Sequence, residues 1–239
     1  MNYQMIFKRY EIKYFLTRGQ QEELLTVMDP YMKLDDYGHT VIRNIYFDTD
    51  TYRLIRHSLE KPVYKEKLRV RSYQKANHDS TVFVELKKKY NSVVYKRRVA
   101  LSEHEAHDWL CGGSFHPEDS QIVEEIESFR NYYSTLHPAC FLSYERDAFY
   151  SLGGDDFRVT FDSNIVSREK DLSLETDVWG TQLLEPGQVL MEIKTPGGIP
   201  LWMTDFLTRN HIYKTSFSKY GEAYCREIAK KKFGGQFYA

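Results

Sequence analysis

Short runs in which charged residues alternate with apolar or aromatic ones recur along this chain, and they constrain its fold more than any other feature. Strand side chains point to opposite faces with period two, so each such run has one charged and one apolar face. Eight runs read as strands: 5–15, 40–48, 63–73, 81–89, 92–101, 140–150, 156–162 and 188–195. Asn77-His78-Asp79-Ser80, Tyr90-Asn91-Ser92 and Gly153-Gly154-Asp155 supply turn chemistry between consecutive runs, which predicts antiparallel hairpins. Helices are expected over 17–28, 51–59, 120–133, 199–210 and 216–232. Another starts at Ser102, where Glu105 completes an S-x-x-E capping box.

The charged faces are mostly basic. Lys13 shares its face with Glu11, and Lys67 shares its face with Arg69 and Arg71. Lys87 accompanies Glu85, Lys96 accompanies Arg98, and Arg146 accompanies Tyr144. Arg158 shares a face with Asp162, and Lys194 with Glu192. Ten bases against four acids leave this face with an excess of six positive charges, although the whole chain carries only −1. A solvated sheet face mixes signs, because like charges directly across a ladder repel. A face of one sign suits a polyanion, with Arg forks matched to phosphate oxygens.

Closing the strands into a barrel would remove sheet edges and enclose the basic face. The fold class expected is therefore α+β, mainly β: an eight-stranded antiparallel barrel tunnel with helices packed on its outside. The four acids have two readings. They are ion-pair partners of the lumen bases, or Glu11 and Glu192 are ligands for Mg²⁺ or Mn²⁺, hard ions that share oxygen ligands with substrate phosphates.

Composition removes several alternatives. An aromatic fraction of 15%, with 19 Tyr and 14 Phe, favours strands and excludes a disordered chain. Near-neutral charge argues against a nucleic-acid coat. The uncharged stretch 131–144 is too short to span a bilayer, and the N-terminus lacks an apolar signal region. Three Cys at no metal-ligand spacing make a reduced, cytoplasmic location the default. No linker divides the 239 residues, so one domain over 1–239 is expected. No Walker A motif or kinase glycine loop is present, so phosphate binding falls to the tunnel itself.

Several fragments, in order, resemble a known family: Arg9-Tyr10-Glu11-Ile12-Lys13-Tyr14, Tyr46-Phe47-Asp48-Thr49, Lys67-Leu68-Arg69-Val70-Arg71 and Val84-Glu85-Leu86-Lys87. Tyr144-Glu145-Arg146, Arg158-Val159-Thr160-Phe161-Asp162, Met191-Glu192-Ile193-Lys194 and Ser218-Lys219-Tyr220 continue the series. The chain resembles the VTC domain, the catalytic module of vacuolar polyphosphate polymerases, within the triphosphate tunnel metalloenzyme superfamily. The resemblance implies transfer of the γ-phosphoryl of ATP to a growing polyphosphate chain. It implies phosphate contacts from Lys13, Arg69, Arg71, Lys87, Arg146, Arg158, Lys194 and Lys219 and makes Glu192 the best metal ligand. Together with the parity reading, the expected catalytic group is Lys13, Arg69, Arg71, Arg146, Arg158 and Lys194. Lys67, Lys87, Lys96, Arg98, Tyr144, Ser218 and Lys219 are the expected phosphate-binding group, with Glu192 and Glu11 for Mn²⁺ or Mg²⁺.

The first strand of the superfamily often reads E-x-E-x-K, whereas here Arg9 stands at the first Glu. That departure favours a transferase over a two-metal hydrolase. Expected partners are ATP, inorganic phosphate and polyphosphate, without nucleic acid. A membrane-protein partner fits the family, while this chain shows no membrane segment and no SPX-type regulatory domain. The alternatives are a metal-dependent triphosphate hydrolase and a non-catalytic polyphosphate or inositol-phosphate binding module.

Overall fold

The alternating runs become paired strands in the structure, a computed structural model that describes residues 10–91, 93–228 and 231. The chain runs β1 (Tyr10–Thr17), α1 (Arg18–Met28), β2 (Met32–Asp48), α2 (Arg53–Leu59), β3 (Tyr64–Ser72), β4 (Thr81–Tyr90) and β5 (Val93–Ser102). It continues through α3 (Glu103–Cys111), α4 (Gln121–Tyr132), β6 (His137–Ser151), β7 (Arg158–Arg168), β8 (Thr181–Gln182) and β9 (Gln188–Thr195). It then forms α5 (Leu201–Arg209), β10 (Lys214–Thr215), α6 (Lys219–Ala223) and a π-helical turn, Tyr224–Ile228. The eight long strands are those that the alternation predicts. Arg9, Ser92 and part of the expected last helix lie outside the described residues. No helix among the described residues is long and apolar enough to cross a membrane.

All strand pairs are antiparallel, in the order β10-β1-β9-β7-β6-β2-β3-β4-β5, with β8 beside β7. The expected closure differs in one respect: among the described residues no backbone pairing joins β5 to β1 or β10. The sheet nonetheless curls into a tunnel, because Lys87 of β4 reaches Glu11 of β1, 2.9 Å away, from near the far end of the strand order. Side chains rather than a hydrogen-bond ladder close the seam.

Two strands outrun their sequence signal. β2 begins at Met32 rather than near residue 40, because Asp35, Asp36 and Gly38 form an irregularity inside a continuous strand and not a turn between elements. Gly38 has φ +58°, and the Asp35 carboxylate accepts from Tyr37 N at 3.1 Å. β7 continues past Asp162 to Arg168, through a register shift opposite Ser143 and Glu145 that breaks the alternation.

Two apolar clusters cover the convex face. Ile45, Leu68, Val84 and Leu86 meet Trp109, Ile126 and Phe129 under α3 and α4. Tyr14, Val159, Met191 and Ile193 meet Leu24, Met28, Met203 and Phe206 under α1 and α5. A third cluster lies on the lumen face. Ile42, Tyr46, Leu142, Ile165 and Leu190 pack with Ile55, Tyr220, Tyr224 and Ile228. Leu190 is on the same face of β9 as Glu192, and Leu142 on the same face of β6 as Tyr144. The lumen face turns apolar at one end, and α2, α6 and the π-helical turn fill it. The tunnel is therefore not open at both ends.

Candidate active site

Register places three lysines abreast: Lys67 on β3 is opposite Lys87 on β4, which is opposite Lys96 on β5. Direct neighbours of like charge repel. Burial drives the Lys67 ammonium down to about 7, with Lys13, Lys65 and Lys87 adding to the fall. Burial also takes Lys96 down to about 7, against the pull of Glu85.

The next row, Arg69–Glu85–Arg98, carries the counter-charge. Glu85 is fully buried; its Oε2 accepts from Arg69 Nε at 2.9 Å and Nη2 at 2.7 Å, and its Oε1 sits 2.5 Å from Lys96 Nζ. Burial pushes this carboxyl up, but Arg71, Arg69 and Lys96 outweigh it and hold Glu85 well below the usual carboxylate range. Arg69 Nη1 donates to Tyr46 OH at 2.9 Å. The Arg98 guanidinium lies 4.6 Å from the centre of the Phe83 ring.

On β6 and β7, Arg146 grips Asp162 with both arms, Nε to Oδ1 at 2.6 Å and Nη2 to Oδ2 at 2.7 Å. Lys219, the first residue of α6, donates to the same Oδ2 at 2.5 Å. Burial raises the Asp162 carboxyl, yet Arg146 and Lys219 bring it down to about 2. Arg71 donates from Nη2 to Tyr144 OH at 3.0 Å and from Nε to Asn44 Oδ1 at 2.9 Å. Burial raises the Tyr144 phenol, but Arg71, Arg146 and Lys219 together lower it to about 8.

The β1–β9 wall carries a crossed set: Lys13 is opposite Glu192, and Glu11 is opposite Lys194. Glu192 lies 3.6 Å from Lys13 and 3.2 Å from Lys194. Burial raises its carboxyl, but Lys194, Lys13, Arg146 and Lys87 hold it well below the ordinary range. Burial likewise raises Glu11, and Lys87 and Lys194 outweigh both burial and the repulsion from Glu192. Lys13 Nζ also donates to Phe217 O at 2.8 Å.

Ser218 caps α6, its Oγ accepting from Gly221 N and from Lys67 Nζ, each at 3.2 Å. The lumen thus gathers Lys13, Lys67, Arg69, Arg71, Lys87, Lys96, Arg146, Lys194, Lys219, Tyr144, Glu11 and Glu192. Arg158 is set apart at the lip. It pairs in register with Lys194, but its side chain is 54% exposed and sits 3.5 Å from Asp156, because it is the first residue of its strand. Sequence reading missed Asn44 and Tyr46, which steady Arg71 and Arg69 from β2. Their signal was an amide and a phenol at the parity of Asp48, on a face that carries no base over 40–48.

The donor set decides which acids suit a divalent cation. Glu85 and Asp162 are sealed by cations at 2.5–2.9 Å. Glu192 makes longer contacts and retains 10% side-chain exposure, with Glu11 within electrostatic reach. Among the described residues no group of three or more His, Cys, Asp or Glu converges on one point. Two carboxylates without a complete cage fit a hard ion that completes its shell with substrate phosphates and water.

A curled antiparallel sheet with a basic lumen, carboxylates set among the bases and one end plugged defines a tunnel protein of the triphosphate type. The VTC domain family matches residues 8–227, and the chain belongs to that family. The fold is shared with a candidate adenylate cyclase from Bacillus halodurans, at TM-score 0.54 and 14% identity, covering 95% of this chain and 100% of that one. It is also shared with a candidate adenylyl cyclase from Hippeastrum described as having a dominant triphosphatase activity, at TM-score 0.53 and 14% identity, covering 97% and 98%. No curated protein matches this chain.

Proposed function

We propose that this chain is a metal-dependent polyphosphate polymerase that moves the γ-phosphoryl of ATP onto inorganic phosphate or a growing polyphosphate chain within the lumen. The observation that carries this reading is the set of basic groups held around one lumen by Glu85, Asp162 and Glu192. Arg71 Nη1 and Arg146 Nη1 have no hydrogen-bond partner among the described residues and are left to meet phosphate oxygens. Phosphoryl transfer asks the protein mainly for alignment and charge neutralisation. Arg69, Arg71 and Arg146 orient the triphosphate, while Lys13, Lys67, Lys87, Lys96, Lys194 and Lys219 offset its charge. Arg158, at the lip, meets the chain as it enters or leaves. Glu192, with Glu11, would hold Mn²⁺ or Mg²⁺, and such an ion neutralises charge on bridging phosphate oxygens when bound. Lys87 must release Glu11 for that, and an arriving phosphate supplies the competing anion.

A hydrolytic reading uses the same charges with water as acceptor, and the triphosphatase activity named for the Hippeastrum protein of the same fold is its support. Incubation with ATP and Mn²⁺ or Mg²⁺, with products resolved on a gel stained for polyphosphate, separates the readings. A ladder of long chains is expected. Phosphate release without chains would favour hydrolysis, and tight polyphosphate binding without turnover would favour a binding module.

A further inference from the structure

We propose that Asp162 is a positioning residue of the lumen, clamping Arg146 of β6 and Lys219 of α6 so that the free edge of the Arg146 guanidinium faces the phosphate path. The inference rests on the triphosphate reading above and adds to it a residue that cannot itself touch substrate, since Asp162 has no exposed surface. A two-armed Arg–carboxylate contact fixes the plane of the guanidinium as well as its place. Here both arms are used, at 2.6 and 2.7 Å, and Nη1 is the nitrogen left over. Oδ2 is shared with Lys219 Nζ, so one carboxylate ties the wall of the tunnel to the first residue of the plug helix.

The clamp also sets the surroundings of Tyr144. The Lys219 ammonium is 4.4 Å and the Arg146 guanidinium 5.0 Å from the centre of its ring, and Arg71 donates to its hydroxyl. Glu192 holds its two lysines at longer range, at 3.2 and 3.6 Å, which leaves it accessible to other partners. The competing account is a purely structural triad, and buried ion pairs are often replaceable without loss of fold.

The test uses Asp162→Glu and Asp162→Asn in the full chain. Asp162→Glu keeps the charge and moves the carboxylate by one methylene, so the fork is displaced at constant electrostatics. Its kcat with ATP and Mn²⁺ is expected to fall at least tenfold, and its calorimetric affinity for tripolyphosphate at least fivefold. Its tyrosine ionisation should stay as in the wild type, where Arg71, Arg146 and Lys219 bring the Tyr144 phenol down to about 8 against its burial. Asp162→Asn removes a negative charge beside Tyr144, so Tyr144 should ionise at lower pH, followed by tyrosinate absorbance with Tyr144→Phe to assign the transition.

Wild-type kcat and tripolyphosphate affinity in Asp162→Glu would overturn the proposal. So would an Asp162→Asn protein whose activity falls only with its folded fraction and whose Tyr144 does not move. Should Asp162→Asn fail to fold, the Asp162→Glu measurements decide alone. If the wild type turns over no ATP, the polymerase reading fails, while tripolyphosphate affinity in Asp162→Glu still decides the role of Asp162.

Discussion

At the scale of single residues, the acids of the lumen divide by the partners around them. Glu192→Gln removes the carboxylate proposed above to hold a divalent cation and leaves the basic lining intact. We expect kcat for ATP with Mn²⁺ to fall by about 10²–10³, with KM changed little, the signature of a contact made in the transition state. Wild-type turnover in that variant would reduce Glu192 to an ion-pair partner of Lys13 and Lys194. Glu85→Gln should act on stability instead. It leaves the buried Arg71 and the half-buried Arg69 and Lys96 without their counter-ion, at a cost of about 3 kcal/mol, or roughly 6–12 °C in Tm for a chain of this size. Tripolyphosphate should restore part of that loss, which thermal unfolding with and without the anion measures.

At the scale of elements, the β3–β4–β5 ladder sets Lys67, Lys87 and Lys96 abreast in a largely desolvated lumen. Lys67 and Lys96 are brought down to about 7 in the folded protein, against about 10.4 for an unfolded lysine. Between pH 7 and 10 the unfolded chain therefore binds more protons, so stability without ligand should rise with pH across that window. Tripolyphosphate affinity should move the opposite way, because the row loses positive charge. Denaturant unfolding and calorimetric titration at pH 7, 8 and 9 test both signs; parallel trends would contradict the burial-driven lowering of Lys67 and Lys96. The pairing that creates this row was legible, since 63–73, 81–89 and 92–101 are joined by short turns. The length of β2 was not, because Asp35, Asp36 and Gly38 carry the chemistry of a turn while serving as a bulge.

At the scale of the whole molecule, the plug couples the C-terminal helix to the site. Tyr220 stacks on Tyr46 at 4.7 Å between ring centres and donates to the buried Asp48 at 3.0 Å, while Tyr46 accepts from Arg69. Tyr220→Ala is expected to cost about 3–5 kcal/mol through the cavity it leaves. Tyr220→Phe should cost about 1–3 kcal/mol, because it removes a donor from a buried carboxylate. Urea unfolding of both variants tests the order, and an equal cost for the two would assign the effect to the hydroxyl alone. The sequence by itself determined the faces of the strands, because period-two geometry sorts side chains without reference to any neighbour. It also marked the lumen as basic, through Lys67, Arg69, Arg71, Lys96 and Arg98. Alternation alone gives Glu85-Leu86-Lys87 and Glu192-Ile193-Lys194 one pattern, and the choice of Glu192 over Glu85 came with the resemblance to the VTC domain. Glu85 pairs across strands with Arg69 and Arg98, and Glu192 with Lys13 and Thr160. Only strand order and register decide such neighbours, and they seal one carboxylate in a cage of cations while holding the other at longer range from Lys13 and Lys194.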